Sequence, residues 1–85
     1  MAKPITARSA RSLSPEKAFG LVLRSVRESR DLSQEDLAAR AGDHRTYIEQ
    51  LERGEKSPSL RTLFNLSASL DVSPSVLIRR VERST

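Results

Sequence analysis

The stretch that decides the fold runs from Ser33 to Gly54 and reads SQEDLAARAGDHRTYIEQLERG. Its first half predicts a helix capped by Ser33, because a serine hydroxyl accepts from first-turn N–H groups and Asp36 follows three residues later. Gly42 predicts the end of that helix, since glycine adopts the left-handed conformation without strain. A second helix then begins near Arg45 and ends before Gly54. Two helices joined by so short a turn predict a helix-turn-helix.

Three further helices are predicted around this stretch. The pairs Ser14-Pro15 and Ser73-Pro74 each place a cap before a proline at the first helical position, where its missing N–H costs nothing. The first of these helices is expected to end at Asp31, and Ser59 caps another helix after the loop at 55–58. No stretch alternates with period two over more than a few residues, so no sheet is expected. The predicted fold class is therefore all-α, with five helices.

Apolar residues recur at helical spacing and predict one aliphatic core. The predicted inward-facing positions are Phe19, Val22, Leu23, Val26, Leu37, Ala38, Ala41, Ile48, Leu51, Leu60, Leu63, Leu66, Ser67, Leu70 and Leu77. Phe64 lies off this stripe, and Val76, Ile78 and Val81 make the fifth helix apolar on more than one side. The apolar surface that remains predicts a homodimer through the fourth and fifth helices. The alternative is that the fifth helix only completes the core.

Composition excludes several classes of protein. The 85 residues suffice for one domain and contain no cysteine, which excludes disulfides and thiolate metal sites. His44 is the only histidine and has no clustered carboxylates around it, so no metal site is expected. No nucleophile–base set or phosphate-cradling glycine loop is present, so neither an enzyme nor a cofactor or small-molecule ligand is expected. There is no apolar run of the roughly 20 residues that span a membrane and no signal-peptide core, which predicts a cytoplasmic protein.

The basic residues are unevenly distributed. Fifteen basic and eleven acidic residues give a net charge of +4, and residues 1–13 contain Lys3, Arg8 and Arg11 without any acid. We expect residues 1–13 to form a flexible basic arm and 14–83 to form the folded helix-turn-helix domain. The arm is either a solvated tail or a segment that reaches DNA phosphates or a minor groove. A basic excess favours nucleic acid through sequence-independent attraction, but it is weak evidence alone.

Several spaced motifs resemble one known family. They are Gly20-x-x-Leu23-Arg24-x-x-Arg27, Leu32-Ser33-Gln34-Glu35-Asp36-Leu37-Ala38, Arg45-Thr46-Tyr47-Ile48, Leu51-Glu52-Arg53-Gly54 and Pro58-Ser59-Leu60-x-Thr62-Leu63. This pattern, over residues 16–78, resembles the Cro/C1-type (XRE-like) helix-turn-helix regulators, which implies a lambda-repressor-like fold. The run D-H-R-T-Y-I followed by L-E-R-G looks most like the controller proteins of restriction–modification systems. The pair Glu49-Gln50 looks more like a lambdoid phage repressor.

The resemblance implies roles for the matching positions. Gln34 would bind a phosphate, and Arg27 and Glu52 would form a buried salt bridge between the first and third helices. Tyr47 and Arg53 match positions that hold the DNA backbone. The remaining implied contacts, at the start of the recognition helix and one turn on, are His44, Arg45, Thr46, Glu49 and Gln50.

The chemistry of these side chains suits the base edges of a major groove. Arg45 can donate twice to guanine, or it can bind a phosphate without reading sequence. Thr46 offers a methyl group for thymine, and Gln50 suits adenine; both have the alternative of a plain surface role. Glu49 can accept from cytosine, although a structural role that orients Arg45 four residues away is favoured.

A second set of residues predicts phosphate contacts near the start of the fourth helix. Its members combine hydroxyl and basic groups, and they are Lys56, Ser57, Ser59, Arg61 and Thr62. One departure from the family pattern affects the recognition helix: Asp43 stands where an apolar residue is usual, and His44 stands where a Ser, Thr or Asp cap is usual. Either Asp43 takes over capping or the helix start is rebuilt.

The sequence therefore predicts a sequence-specific DNA-binding transcriptional regulator. It would bind double-stranded DNA at a palindromic operator as a homodimer, since one recognition helix reads only a few base pairs. A controller protein of a restriction–modification system is one form of this function. The alternative is an antitoxin-like protein-interaction module with the same fold, against which the polar face of Arg45, Thr46 and Gln50 argues.

Overall fold

The computed structural model describes residues 13–85, and within this range the chain forms five α-helices and no strand. The helices are α1 (Pro15–Ser29), α2 (Gln34–Ala41), α3 (Arg45–Glu52), α4 (Leu60–Ser69) and α5 (Pro74–Ser84). The predicted all-α, five-helix fold is confirmed. The predicted basic arm lies outside the described residues except for Leu13. Within 13–85, the helices are too short or too polar to cross a membrane.

Serine hydroxyls cap four of the five helices. Ser14, Ser33, Ser59 and Ser73 each accept from the backbone N–H three residues further on. At α2 the arrangement is reciprocal, because the Asp36 carboxylate also accepts from the Ser33 N–H at 2.9 Å. The hydrogen bond that the Ser33 backbone N–H donates to the Asp36 carboxylate, and then the Ser33 side chain, lower the pKa of Asp36. The sequence signals at these four helix starts are therefore correct to the residue.

One aliphatic core joins all five helices. Its buried apolar members are Ala18, Phe19, Val22, Leu23, Val26, Leu37, Ala38, Ile48, Leu51, Leu63, Leu66, Leu70, Leu77 and Val81. Two expectations about apolar residues are wrong. Leu60, expected inside, is 72% exposed because it begins α4 beyond the edge of the core. Val81, expected in the dimer interface, is 8% exposed and belongs to the core, one turn after Leu77.

Close packing between α1 and α3 fixes the position of α3. A Cβ atom on Gly20 would lie 2.4 Å from the Glu52 carbonyl oxygen and 2.5 Å from that of Leu51. The absence of a side chain at Gly20 therefore lets α1 approach the backbone at the end of α3. Beyond α3, the Lys17 ammonium donates to the Arg53 carbonyl at 3.4 Å.

Candidate nucleic-acid interface

A three-residue turn joins α2 to α3. Gly42 ends α2 in the left-handed conformation, with φ 74° and ψ 32°, and the Asp43 N–H donates to the Ala38 carbonyl at 2.9 Å. His44 then occupies the cap position of α3, and no side chain, including that of Asp43, makes a capping hydrogen bond there. The helix start is therefore rebuilt without a side-chain cap, and Arg45 is its first residue.

The exposed face of α3 presents the four residues predicted to read bases. Arg45 and Thr46 are exposed in the first turn, and Glu49 and Gln50 are half-buried one turn later. Arg45 Nη1 donates to Glu49 Oε1 at 3.5 Å, and Arg53 Nη1 donates to Glu49 Oε2 at 3.1 Å. Glu49 thus lies between two arginines on consecutive turns, in the orienting position that its spacing from Arg45 predicts.

Arg53, immediately after α3, is held by acidic side chains on both sides. Its Nε lies 2.9 Å from Glu55 Oε2, in addition to the contact with Glu49. The hydrogen bond and charge of Glu55, and then the charge of Glu49, raise the pKa of Arg53. The guanidinium is exposed, so these surface ion pairs are weak and can be exchanged for a phosphate.

The predicted salt bridge between α1 and α3 is present. Arg27 Nε donates to Glu52 Oε2 at 2.6 Å, and Arg27 Nη2 donates to Glu52 Oε1 at 3.0 Å. Only 10% of the arginine side chain and 4% of the glutamate side chain are exposed. The hydrogen bond to Glu52 raises the pKa of Arg27, against a smaller opposing effect of burial. Arg27 Nη1 also donates to the Leu32 carbonyl at 2.8 Å, which ties the loop before α2 to this pair.

Gln34 is less free than a surface phosphate ligand would be. It is the first residue of α2, and its Nε2 donates to Glu52 Oε1 at 3.0 Å. The side chain is therefore attached to the buried salt bridge, and one of its two amide N–H groups is already used. The sequence separation of 18 residues hides this contact from any local pattern.

The second set of residues predicted to contact phosphate surrounds the start of α4. Lys56, Ser57 and Arg61 are exposed, as expected for such contacts. The Ser59 hydroxyl accepts from the Thr62 N–H and donates to Thr62 Oγ1 at 3.0 Å, so its proton is used within the protein. Of these two hydroxyl groups, that of Thr62 is therefore the one that can donate outside the pair.

Two of the remaining predicted residues differ in exposure. His44 is exposed, and Tyr47 is half-buried with its ring packed against the core. Lys17 was not singled out from the sequence, yet its contact with the Arg53 carbonyl adds a positive charge beside the end of α3. Its position in α1, 36 residues away along the chain, carries no local signal for that placement.

The model of the helix-turn-helix family matches residues 23–77, which include all of α2, α3 and α4. The chain belongs to the Cro/C1-type helix-turn-helix family. The matched segment contains the capped α2, the Gly42 turn and the exposed face of α3. The chain is accordingly a transcriptional regulator of the helix-turn-helix type, similar to restriction–modification controller proteins.

Several proteins similar to this helix-turn-helix regulator are restriction–modification controller proteins. The control protein C.SmaI of Serratia marcescens is 45% identical over 58 residues, 68% of this chain and 69% of that protein. The crystal structure of the restriction–modification controller C.AhdI from Aeromonas hydrophila superposes with a TM-score of 0.71 and 39% identity, covering 72% of this chain and 92% of the other. The controller C.Esp1396I, as a tetramer on its 35 base-pair operator, gives a TM-score of 0.76 and 25% identity over 85% and 95%.

The regulator also carries an exposed apolar patch on α4 and α5, formed by Leu60, Phe64 and Ile78. These side chains are 72%, 55% and 46% exposed, respectively. Leu60 and Ile78 line one groove of about 280 Å³. Val76, also predicted for the interface and 39% exposed, lies on the other flank of α5, because residues two apart on a helix point in nearly opposite directions.

Within residues 13–85 of the regulator, no three His, Asp or Glu side chains form a group that could hold a metal ion. The two acidic residues of α3, Glu49 and Glu52, each contact arginine side chains.

Proposed function

We propose that this regulator binds a palindromic operator in double-stranded DNA as a homodimer and controls transcription in the manner of a restriction–modification controller protein. The observation that carries the proposal is the exposed first turn of α3, where Arg45 and Thr46 extend from a helix held rigidly on its other face. Rigid support matters because base contacts require a fixed direction of approach. In this role α3 lies in the major groove with its first turns at the base edges.

The four residues on α3 have different roles in recognition. Arg45 donates to guanine O6 and N7, Thr46 contacts a thymine methyl group, and Gln50 binds adenine N6 and N7. Glu49 keeps Arg45 extended towards the bases, because the pair is only 3.5 Å apart in the free protein. Glu49 itself would be repelled by phosphates, which favours its orienting role over a base contact.

Phosphate contacts surround this reading face. One group lies at the N-terminus of α2 and along α3, with Gln34, His44, Tyr47 and Arg53. The other surrounds the start of α4, with Lys56, Ser57, Arg61 and Thr62. Contacts of this kind fix the register of the protein on the duplex and carry no sequence information.

A homodimer supplies a second copy of α3, which reads the second half-site of the operator. The apolar patch of Leu60, Phe64 and Ile78 supports an interface on α4 and α5, since exposed apolar patches are characteristic of protein-binding surfaces. Two-fold pairing would set two copies of α3 about 34 Å apart, one turn of DNA. The regulator needs no catalytic residue for this function, and its DNA target places it in the cytoplasm.

In vitro selection of bound DNA tests the proposal most directly. We expect a palindromic consensus with half-sites about one helical turn apart. Arg45→Ala should relax the base preference at one position in each half-site, a loss of about 1–3 kcal/mol of discrimination. Arg83→Ala, which removes the same charge from α5, is the matched control and should leave the consensus unchanged. Recovery of DNA without any consensus would contradict the proposal.

The dimer is tested by sedimentation of variants in the patch. Phe64→Asp should shift the protein towards monomer and weaken operator binding, because a charge at a dry interface is costly. Leu21→Asp is the matched control, since Leu21 is also 55% exposed but lies on α1. Equal effects of the two variants, or a wild-type monomer at tens of micromolar that stays monomeric on DNA, would exclude this interface.

A further inference from the structure

The buried pair of Arg27 and Glu52 has a third member. Glu52 is the last residue of α3, and its carboxylate accepts from Arg27 Nε, from Arg27 Nη2 and from Gln34 Nε2. Arg27 lies in the last turn of α1, and Gln34 begins α2. One carboxylate therefore holds three helices together at the point where α2 approaches DNA in the proposed function.

The contact with Glu52 determines which end of the Gln34 amide faces inward. The amide has a carbonyl oxygen that only accepts and an NH₂ group that donates twice. Arg27 directs two donors at Glu52, so the carboxylate acts as an acceptor and binds the NH₂ group of Gln34 rather than its oxygen. With one N–H fixed on Glu52, the second N–H has a fixed direction as well, because both lie in the plane of the amide.

We propose that Glu52 is a positioning residue for DNA: it orients the Gln34 amide so that the second N–H donates to a backbone phosphate. This inference rests on the proposed function and assigns Glu52 a role beyond the salt bridge. A phosphate oxygen only accepts, so an amide turned the other way would present its carbonyl oxygen and repel the phosphate. Fixing the amide beforehand also reduces the conformational entropy lost on binding.

The geometry around Glu52 favours this role over a purely structural one. The two hydrogen bonds from Arg27 already hold α1 to α3, and the Arg27 bond to the Leu32 carbonyl already holds the loop before α2. The Gln34 contact adds a neutral donor to an acceptor that is paired without it. Its effect is to restrict a side chain that is half-buried at the start of α2.

A double-mutant cycle tests the coupling. Gln34→Met removes the amide at similar size, and Arg27→Met with Glu52→Met replaces the ion pair by apolar side chains of similar volume. In the wild-type background, Gln34→Met should weaken operator affinity about tenfold, as expected for a hydrogen bond to a charged group. In the Arg27→Met/Glu52→Met background, the same change should cost less than about twofold, because the amide there is no longer oriented.

The outcomes separate this inference from the proposed function. A tenfold loss in both backgrounds would show that Gln34 binds phosphate without help from Glu52 and would overturn the positioning role. No loss in either background would overturn it too, while the Arg45→Ala selection experiment would still report on operator reading. Failure of the wild-type protein to bind any operator would instead contradict the proposed function.

Side-chain NMR of the unaltered protein provides a second test that needs no stable double variant. The two amide protons of Gln34 should be inequivalent in the free protein, with one hydrogen-bonded to Glu52. Adding operator DNA should shift the other proton and slow its exchange, whereas the amide of Asn65, exposed on α4, should change little. A Gln34 amide whose protons are both unaffected by DNA would overturn the inference.

Discussion

Replacing Gly20 by alanine tests the spacing of α1 and α3 most sharply. The added Cβ would lie 2.4 Å from the Glu52 carbonyl oxygen, 2.5 Å from the Leu51 carbonyl oxygen and 2.8 Å from the Glu52 carbonyl carbon. All three are backbone atoms of a helix, so no side-chain rotation relieves the contact. The two helices would have to separate by roughly 1 Å to restore van der Waals distances.

Two opposing effects set the size of the change. Alanine favours a helix interior over glycine by about 1 kcal/mol, which stabilises the variant. Overpacking of a close contact typically costs about 1–3 kcal/mol, and contact with rigid backbone belongs at the upper end of that range. The net effect of Gly20→Ala should therefore be destabilisation by about 1–2 kcal/mol, equivalent to a Tm roughly 5–15 °C lower in a domain of this size.

Thermal and urea unfolding followed by far-UV circular dichroism measure this change. Gly42→Ala is the informative control, because a Cβ there meets nothing within 4 Å but must adopt φ 74°. It should cost about 1–2 kcal/mol through backbone strain alone, without moving α3. Only the Gly20 variant should lose operator affinity beyond its loss of folded protein. A Gly20→Ala variant with an unchanged or higher Tm would refute the close approach of α1 to α3.

Three further outcomes follow from charged side chains. Ser33 lowers the pKa of Asp36, so the contribution of this carboxylate to stability is present above the ordinary pKa of about 4 and is lost as pH falls through the lower folded pKa. Acid unfolding should therefore be less steep in Asp36→Asn than in the wild type, and identical unfolding curves would contradict this. Glu52→Ala should destabilise by about 3–5 kcal/mol in urea, because Arg27 is left buried and unpaired; a loss below 1 kcal/mol would contradict the buried pair. Lys56→Ala should weaken binding to all DNA sequences alike and reduce the slope of log affinity against log salt concentration by about 1. A loss of affinity confined to the operator sequence would exclude a phosphate contact.

The helix starts were predictable because their cause is local. A serine hydroxyl reaches only the N–H groups of the next turn, so the capping signals at Ser14, Ser33, Ser59 and Ser73 depend on a few neighbouring residues. The start of α3 lacks that signal, and the sequence left it open between Asp43 and His44. In the structure, the extended backbone conformation of His44 marks the start of α3 without a side-chain cap.

Exposure at the ends of helices was harder to predict. Leu60 fits the periodicity of α4 as well as Leu63 does, yet it is 72% exposed, because it lines an open groove beside α1 and α5 instead of packing into the core. Val81 was expected in the dimer interface but is buried in the core, since its burial depends on how α5 packs against α1. Periodicity reports which residues share a face, whereas coverage of that face depends on neighbouring helices.

Contacts within the candidate interface also differ in whether their cause is local or depends on the packing of helices. The Arg45–Glu49 pair was predictable, because four residues along a helix bring side chains together. The Arg27–Glu52 pair came from family resemblance. The contact between Gln34 and Glu52 came from neither source, since it depends on the packing of α2 against the end of α3.

The missing side-chain cap at His44 has a consequence for how such a regulator changes its target. Replacing a capping serine or threonine typically costs about 1 kcal/mol, so a change at a capped helix start destabilises the fold. His44 makes no capping hydrogen bond, and Arg45 and Thr46 beside it are exposed. This tripeptide is therefore free to vary at little cost to the fold. A new operator preference can arise there without any compensating change in the core.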